Sequence, residues 1–102
     1  MSEKLRYSPS VPHDIAEALK YYSEISPTID DRFTESLENC FMQIAAFPEH
    51  RAIAFSDVRI SRIKIFPYLV LYRVRNDVVE VIAVFHSAVS PKRWNDRAGD
   101  DQ

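Results

Sequence analysis

The spacing of apolar residues changes twice along this chain, from two to about 3.6 and back to two, and each change marks an element. Leu5 and Tyr7 alternate with Lys4, Arg6 and Ser8, which predicts a short half-buried strand over residues 4–8, ended by Pro9. Val11, Ile15, Ala18, Leu19 and Tyr22 then return on one helical face. Ser10 serves as N-cap, and Pro12 falls in the first turn, where a missing N–H costs little. This helix should stop near Glu24. Ser26-Pro27 opens a second one, in which Ile29, Phe33, Leu37, Cys40, Phe41 and Ile44 keep the rhythm until Pro48. The short connection makes the pair an antiparallel hairpin sharing one apolar seam.

Residues 49–56 carry no period. Beyond them Val58 and Ile60 alternate with Arg59 and Ser61, and the parity then moves to Ile63 and Ile65, which predicts a bulge near Ser61-Arg62. The run FPYLVLYRV, the turn Asn76-Asp77 and the run VVEVIAVFH form a β-hairpin whose register can be tested. With Arg75 opposite Val78, the pairs Val74–Val79, Tyr72–Val81, Val70–Ala83 and Tyr68–Phe85 make one face wholly apolar. The other face pairs Arg73 with Glu80, Leu71 with Ile82 and Leu69 with Val84, which turns Arg73, Arg75, Glu80 and His86 toward solvent or a partner. Ser90-Pro91 starts a last helical turn holding Lys92, Arg93 and Trp94. The fold class is therefore α+β in the order β-α-α-β-β-β, an antiparallel sheet packed on an N-terminal helical hairpin through Tyr68, Val70, Tyr72 and Val74.

A chain of 102 residues, 46% hydrophobic and with one glycine, suits a single domain, assigned to residues 1–97, with residues 98–102 as a flexible acidic tail. The N-terminus has no apolar core of a secretion signal, and no apolar run nears the roughly 20 residues of a membrane helix, so a cytoplasmic protein without membrane contact is expected. Cys40 has no second cysteine to pair with, and its place on the helical stripe gives it a packing role. His13, His50 and His86 are too scattered for a metal site. Gly99 is the only glycine, which excludes phosphate-cradling and dinucleotide-binding loops, and no cofactor is expected.

The net charge of −2 conceals an asymmetry. Residues 1–56 carry five Lys/Arg against nine Asp/Glu, whereas residues 57–97 carry eight against four. The basic excess lies on the expected sheet and suits an anionic partner, nucleic acid or an acidic protein segment, although the sequence pI of 5.9 is low for a nucleic-acid binder. Arg59, Arg62, Lys64, Arg73 and Arg75 can serve as anion contacts or as a solvated face. His86, at the end of the last strand, can exchange protons near neutral pH or satisfy a backbone group. Ser87 points to the opposite face and cannot be its nucleophile. Trp94 packs as a lid over the sheet edge or anchors a partner.

With these elements in order, the chain resembles the ParE/RelE superfamily of toxins from type II toxin-antitoxin modules, in its ParE-like branch. The resemblance runs from Leu5 to Trp94. It is carried most specifically by Arg59 through FPYLVLYRV, by VVEVIAVFH, and by His86 followed by Pro91-Lys92-Arg93-Trp94. It implies a small cytoplasmic growth inhibitor of a plasmid-stabilisation type, silenced by a cognate antitoxin whose anionic, amphipathic C-terminal segment wraps the toxin. ParE-like relatives act on DNA gyrase by binding, whereas RelE-like relatives cut mRNA on the ribosome.

Two departures bear on that choice. Phe66-Pro67-Tyr68-Leu69 stands where the RelE-like pattern has a glycine and an arginine, and Ser87-Ala88-Val89-Ser90 lacks the arginine that many members carry after the histidine. Without a cationic cluster, charge developing on a scissile phosphate loses its main support. The expected activity is inhibition by binding rather than an enzymatic one. Arg59, Arg62, Arg73, His86, Lys92, Arg93 and Trp94 form the expected surface for antitoxin or target. The alternatives are a RelE-type endoribonuclease using Arg62, Lys64, Arg73 and His86, and a non-toxic member that keeps only antitoxin binding. The apolar outer patch of Leu69, Leu71, Ile82 and Val84 leaves a homodimer open.

Overall fold

The structure, a computed structural model, describes residues 4–100. Its elements are β1 (Lys4–Tyr7), α1 (Val11–Ile25), α2 (Pro27–Ala46), β2 (Ile53–Phe55), β3 (Val58–Arg62), β4 (Tyr68–Arg75), β5 (Val78–His86) and α3 (Pro91–Asp100). The α+β class and the order of the expected elements hold. The five strands form one sheet in the order β1-β5-β4-β3-β2, mixed rather than antiparallel throughout, because β1 pairs parallel with β5. β2 is an additional short strand inside the stretch that shows no period, paired to β3 at the sheet edge.

Ser26 alone separates α1 from α2, and its side chain accepts a hydrogen bond from Thr28 N–H, which makes it the N-cap of α2 with Pro27 at the first helical position. The two helices cover one sheet face through Val11, Ala18, Tyr22, Phe33, Leu37, Cys40 and Ile44, against Ile63, Val70, Tyr72, Val79, Val81 and Val84. At one end of this core Tyr22, Phe33, Phe66 and Tyr68 pack with ring centroids 5.1–6.0 Å apart. Such offset and edge-to-face pairs add to the burial of their area.

Asn76 and Asp77 both take positive φ, 50° and 64°, as a two-residue type I′ turn requires. The register set by that turn, Arg75–Val78, Val74–Val79, Arg73–Glu80 and Tyr72–Val81, is the expected one. Past Tyr72 it slips by one, because Ile82 is an extra residue in β5 and Leu71 pairs with Ala83, Val70 with Val84, Leu69 with Phe85 and Tyr68 with His86. Ala83 and Phe85 therefore turn to the outer face and Val84 turns to the helical hairpin, the reverse of the uniform pairing. The bulge foreseen at Ser61-Arg62 is absent: β3 pairs with β4 without interruption from Val58–Arg73 to Arg62–Leu69. Val58 and Ile60 belong to the outer core and Ile63 to the hairpin core, so the apparent switch of parity reflects a sheet covered on both sides.

The outer face is where expectation and structure part most. It carries a second core of Val58, Leu69, Leu71, Ile82, Ala83, Phe85 and Ala98, with Phe55, Ile60, Val89 and Trp94 packed on it. The cover is α3, which continues to Asp100; Ala98 is buried, so the flexible tail does not begin there, and Asp101 and Gln102 lie outside the described residues. Leu69, Leu71 and Ile82 are thus covered by α3 and do not form an open patch. Arg73, expected on display, is 1% exposed. Its Nη2 donates to the carbonyl of Ala98 at 3.3 Å and its Nε lies 3.2 Å from Asp57 Oδ1.

Candidate functional site

The residues expected to share one surface fall into three regions. Arg73 and Trp94 belong to the α3 layer, where Trp94 stacks on Phe55 with centroids 6.3 Å apart and planes 22° from parallel. Asp57 bridges Arg73 and Arg75, accepting from Arg75 Nε at 2.9 Å. Partial burial opposes ionisation of Asp57, but the hydrogen bond from Arg75 and the two guanidinium charges outweigh it and hold the carboxyl below its ordinary value. Arg73 is therefore a structural cation that ties the sheet to α3, and it cannot meet a partner while α3 is in place.

His86 and Arg93 share a second region, a cleft of about 390 Å³ against α1 lined also by Glu17, Tyr21, Tyr68 and Val89. The Nδ1 of His86 accepts from Ala88 N–H at 3.0 Å, which places the proton of a neutral imidazole on Nε2. Its ring meets Tyr68 edge-on at 5.2 Å. Arg93 lies over the face of Phe85 at 5.1 Å, with Arg97 over the same ring at 4.7 Å. Lys92 is exposed on the first turn of α3.

The third region flanks the C-terminal half of α2. One cleft of about 360 Å³ is lined by Gln43, Ile44, Phe47, His50, Arg51, Ser61 and Tyr72, and a second of similar size by Asn39, Cys40, Met42, Gln43, Arg62 and Lys64 among others. They meet at Gln43, and the Cys40 Sγ to Ser61 Oγ contact of 3.5 Å lies between them. Phe47 and Met42 are 69% and 68% exposed here, beside the cations of Arg51, Arg62 and Lys64. Arg59 works beneath the surface: its guanidinium donates to the carbonyls of Glu49 and Arg51, and Tyr72 Oη donates to the carbonyl of Pro48 at 2.9 Å. Together they pin the loop that presents Phe47, His50 and Arg51. Burial pushes the Cys40 thiol above its ordinary pKa, and the Ser61 hydrogen bond and the Arg51 charge only partly oppose it.

Sequence reasoning named Arg62 and Lys64 but missed Arg51, Phe47, Met42 and Gln43. Met42 and Phe47 fall off the apolar stripe of α2, and apolar residues out of phase with a stripe were the available signal. It also missed the buried pair of Asp14 and Arg97, which joins α1 to α3 with Nη1–Oδ2 at 2.6 Å and Nη2–Oδ1 at 3.0 Å. Arg97 lies one turn beyond Arg93, a spacing readable only if the last helix is taken past Trp94.

A family model described as the ParE toxin of the type II toxin-antitoxin system parDE matches residues 5–91. The chain belongs to the ParE toxin family. It is 28% identical over 92 residues to Toxin ParE2 of Mycobacterium tuberculosis, in strains CDC 1551 / Oshkosh and ATCC 25618 / H37Rv alike, covering 89% of this chain and 88% of the relative. A solved structure titled chromosomal ParDE TA system from P. aeruginosa superposes with a TM-score of 0.74 at 12% identity, over 83% of this chain and 96% of the other, which shows the shared fold. The chain is thus a ParE-type toxin of a toxin-antitoxin system, and the family implies a cognate antitoxin. Among the described residues no helix is long and apolar enough to cross a membrane.

Proposed function

We propose that this ParE-type toxin inhibits a cytoplasmic target of the DNA gyrase class by binding it, and that a cognate antitoxin neutralises it through an acidic, amphipathic segment. The observation that carries the first half is the dispersal of the four residues a RelE-type cut would use. Arg62 and Lys64 line a cleft on α2, His86 lines another on α1, and Arg73 is buried beneath α3. In-line attack on a phosphodiester needs base, acid and charge-stabilising cations around one phosphate, and that arrangement is not what these side chains form.

The α2 region supports the second half. Exposed Phe47 and Met42 offer anchors for apolar side chains, and Arg51, Arg62 and Lys64 flank them with positive charge, which matches an amphipathic helix with an acidic face. Of the surface assigned from sequence, Arg62 stays in this docking site, while Arg59 supports it from below. His86, Lys92, Arg93 and the exposed part of Trp94 are left for the target.

The test is a supercoiling assay with purified gyrase and this chain, paired with primer extension on cellular mRNA after induction. Loss of supercoiling, restored by the antitoxin encoded beside the toxin, is expected. Discrete new mRNA ends with gyrase unaffected would overturn the reading in favour of a ribonuclease.

A further inference from the structure

The β3–β4 connection, residues 63–67, presents a side chain that its backbone suits badly. Among the described residues four that are not glycine take positive φ: Ser56, Asn76, Asp77 and Ile65, at 51°, 50°, 64° and 79°. Short polar side chains such as those of Asn and Asp tolerate that region, whereas a β-branched one is strained there. Ile65 is also 73% exposed, more than Met42 or Phe47, so burial within the chain does not offset the strain.

The connection is fixed on both sides of that residue. Ile63 is buried in the hairpin core, and its N–H donates to the Tyr68 carbonyl at 3.0 Å. Phe66 belongs to the aromatic cluster, 5.1 Å from Tyr22 and 5.2 Å from Phe33, and its carbonyl accepts from Tyr68 N–H at 2.8 Å. The Pro67 carbonyl accepts from Ser87 N–H at 2.8 Å. Ile65 is thus held out by a frame that keeps it from relaxing, and a side chain fixed in advance loses little conformational freedom when a partner covers it. Its neighbour Lys64 lines the α2 cleft with Arg62 and the 68% exposed Met42. Those cations suit an acidic partner.

We propose that Ile65 is a preorganised apolar anchor for the antitoxin's acidic, amphipathic segment, which runs from the α2 clefts over the β3–β4 connection. This role rests on the antitoxin reading of the α2 region and extends the docking surface to a residue outside both clefts. An apolar side chain of the segment covers Ile65 while its carboxylates meet Lys64 and Arg62, the arrangement of a buried hot spot inside a charged rim.

Isothermal titration of the full chain with the antitoxin encoded beside the toxin tests it, in wild type, Ile65→Asn, Ile65→Leu and Arg62→Glu. Asn accepts positive φ, so Ile65→Asn is expected to melt no lower than wild type while its affinity falls about tenfold or more. Ile65→Leu, still apolar, is expected to stay within about threefold of wild type. Affinity kept in Ile65→Asn but lost in Arg62→Glu would overturn the anchor alone, and affinity kept in both would overturn the antitoxin reading with it. Equal losses in the two Ile65 variants would place the effect in the backbone and overturn an apolar contact. A lower melting temperature for Ile65→Asn would make the residue a packing one, and lost gyrase inhibition with antitoxin affinity kept would assign it to the target; either result overturns the proposal.

Discussion

Replacing Asp14 by alanine tests whether the β5 bulge depends on an ionic clamp. The extra residue Ile82 takes its neighbourhood out of the regular ladder, and two backbone groups there are met by side chains instead. Val84 N–H donates to Asp14 Oδ2 at 3.1 Å, and the Ile82 carbonyl accepts from Arg97 Nη1 at 2.9 Å. The carboxylate and the guanidinium also hold each other in a bidentate pair, with side chains 5% and 14% exposed. Removing one member of a buried pair costs about 3–5 kcal/mol. Arg97 keeps the Ile82 carbonyl and is near enough to the surface to rehydrate in part, which favours the lower end, while a stranded Val84 N–H adds about 1–3 kcal/mol. The net expectation is about 4 kcal/mol, a large share of the roughly 5–15 kcal/mol that holds an ordinary domain together. Equilibrium urea unfolding followed by far-ultraviolet circular dichroism and Trp94 fluorescence reads it. Asp14→Asn keeps an acceptor for Val84 and loses the charge, so it should cost about half as much. The clamp would be refuted by a loss below about 1 kcal/mol for Asp14→Ala, or by strict additivity with Arg97→Ala in a double-mutant cycle.

Other consequences are as direct. Arg73→Glu should leave the protein largely unfolded by circular dichroism, because it buries an anion beside Asp57 and Glu80; a folded variant whose only defect is partner binding would contradict the burial described. The depressed carboxyl of Asp57 contributes stability above its ordinary pKa of 3.8 that is lost as pH falls through the lower folded value, so Asp57→Asn should flatten the acid limb of a urea-midpoint profile below about pH 4 and leave its shape near neutrality unchanged. Native Cys40, buried and with a raised thiol pKa, should react with a disulfide reagent at pH 8 far more slowly than in urea, and equal rates would place the thiol at the surface. Arg62→Glu should weaken antitoxin binding by about tenfold in calorimetry without loss of stability, as the proposed α2 docking site requires of charge reversal at this exposed residue.

The helical hairpin was legible because its signals were local and agreed with each other. Ser26-Pro27 fixed a start, and the stripe from Phe33 to Ile44 fixed a face. The Asn76-Asp77 turn was legible for the same reason, since two positive φ values suit those residues. Reading failed where both faces of the sheet are buried. Alternation then no longer separates inside from outside, so Val58 and Ile60 against Ile63 looked like a register change, and the true slip at Ile82 hid inside a continuous apolar run. The buried Arg73 was illegible for a related reason, because a charge opposite Glu80 reads as solvated until something covers it. That cover is only weakly apolar in sequence: α3 contributes Trp94 and Ala98 among many polar residues, and its Arg97 looks like any exposed basic residue. In the candidate site, Arg62 and Lys64 were visible as charges, whereas Arg51 and Phe47 sit in a loop whose course is set by the distant Arg59 and Tyr72.

The parallel pairing of residues 4–7 with residues 78–81 has a consequence for the growing polypeptide. The earliest strand to leave the ribosome docks on the latest, so no native sheet containing it can close until more than three-quarters of the chain has been made. Until then the apolar side of the two helices can meet only Ile63, Val70 and Tyr72 and lacks Val79, Val81 and Val84, the part of its cover that β5 supplies.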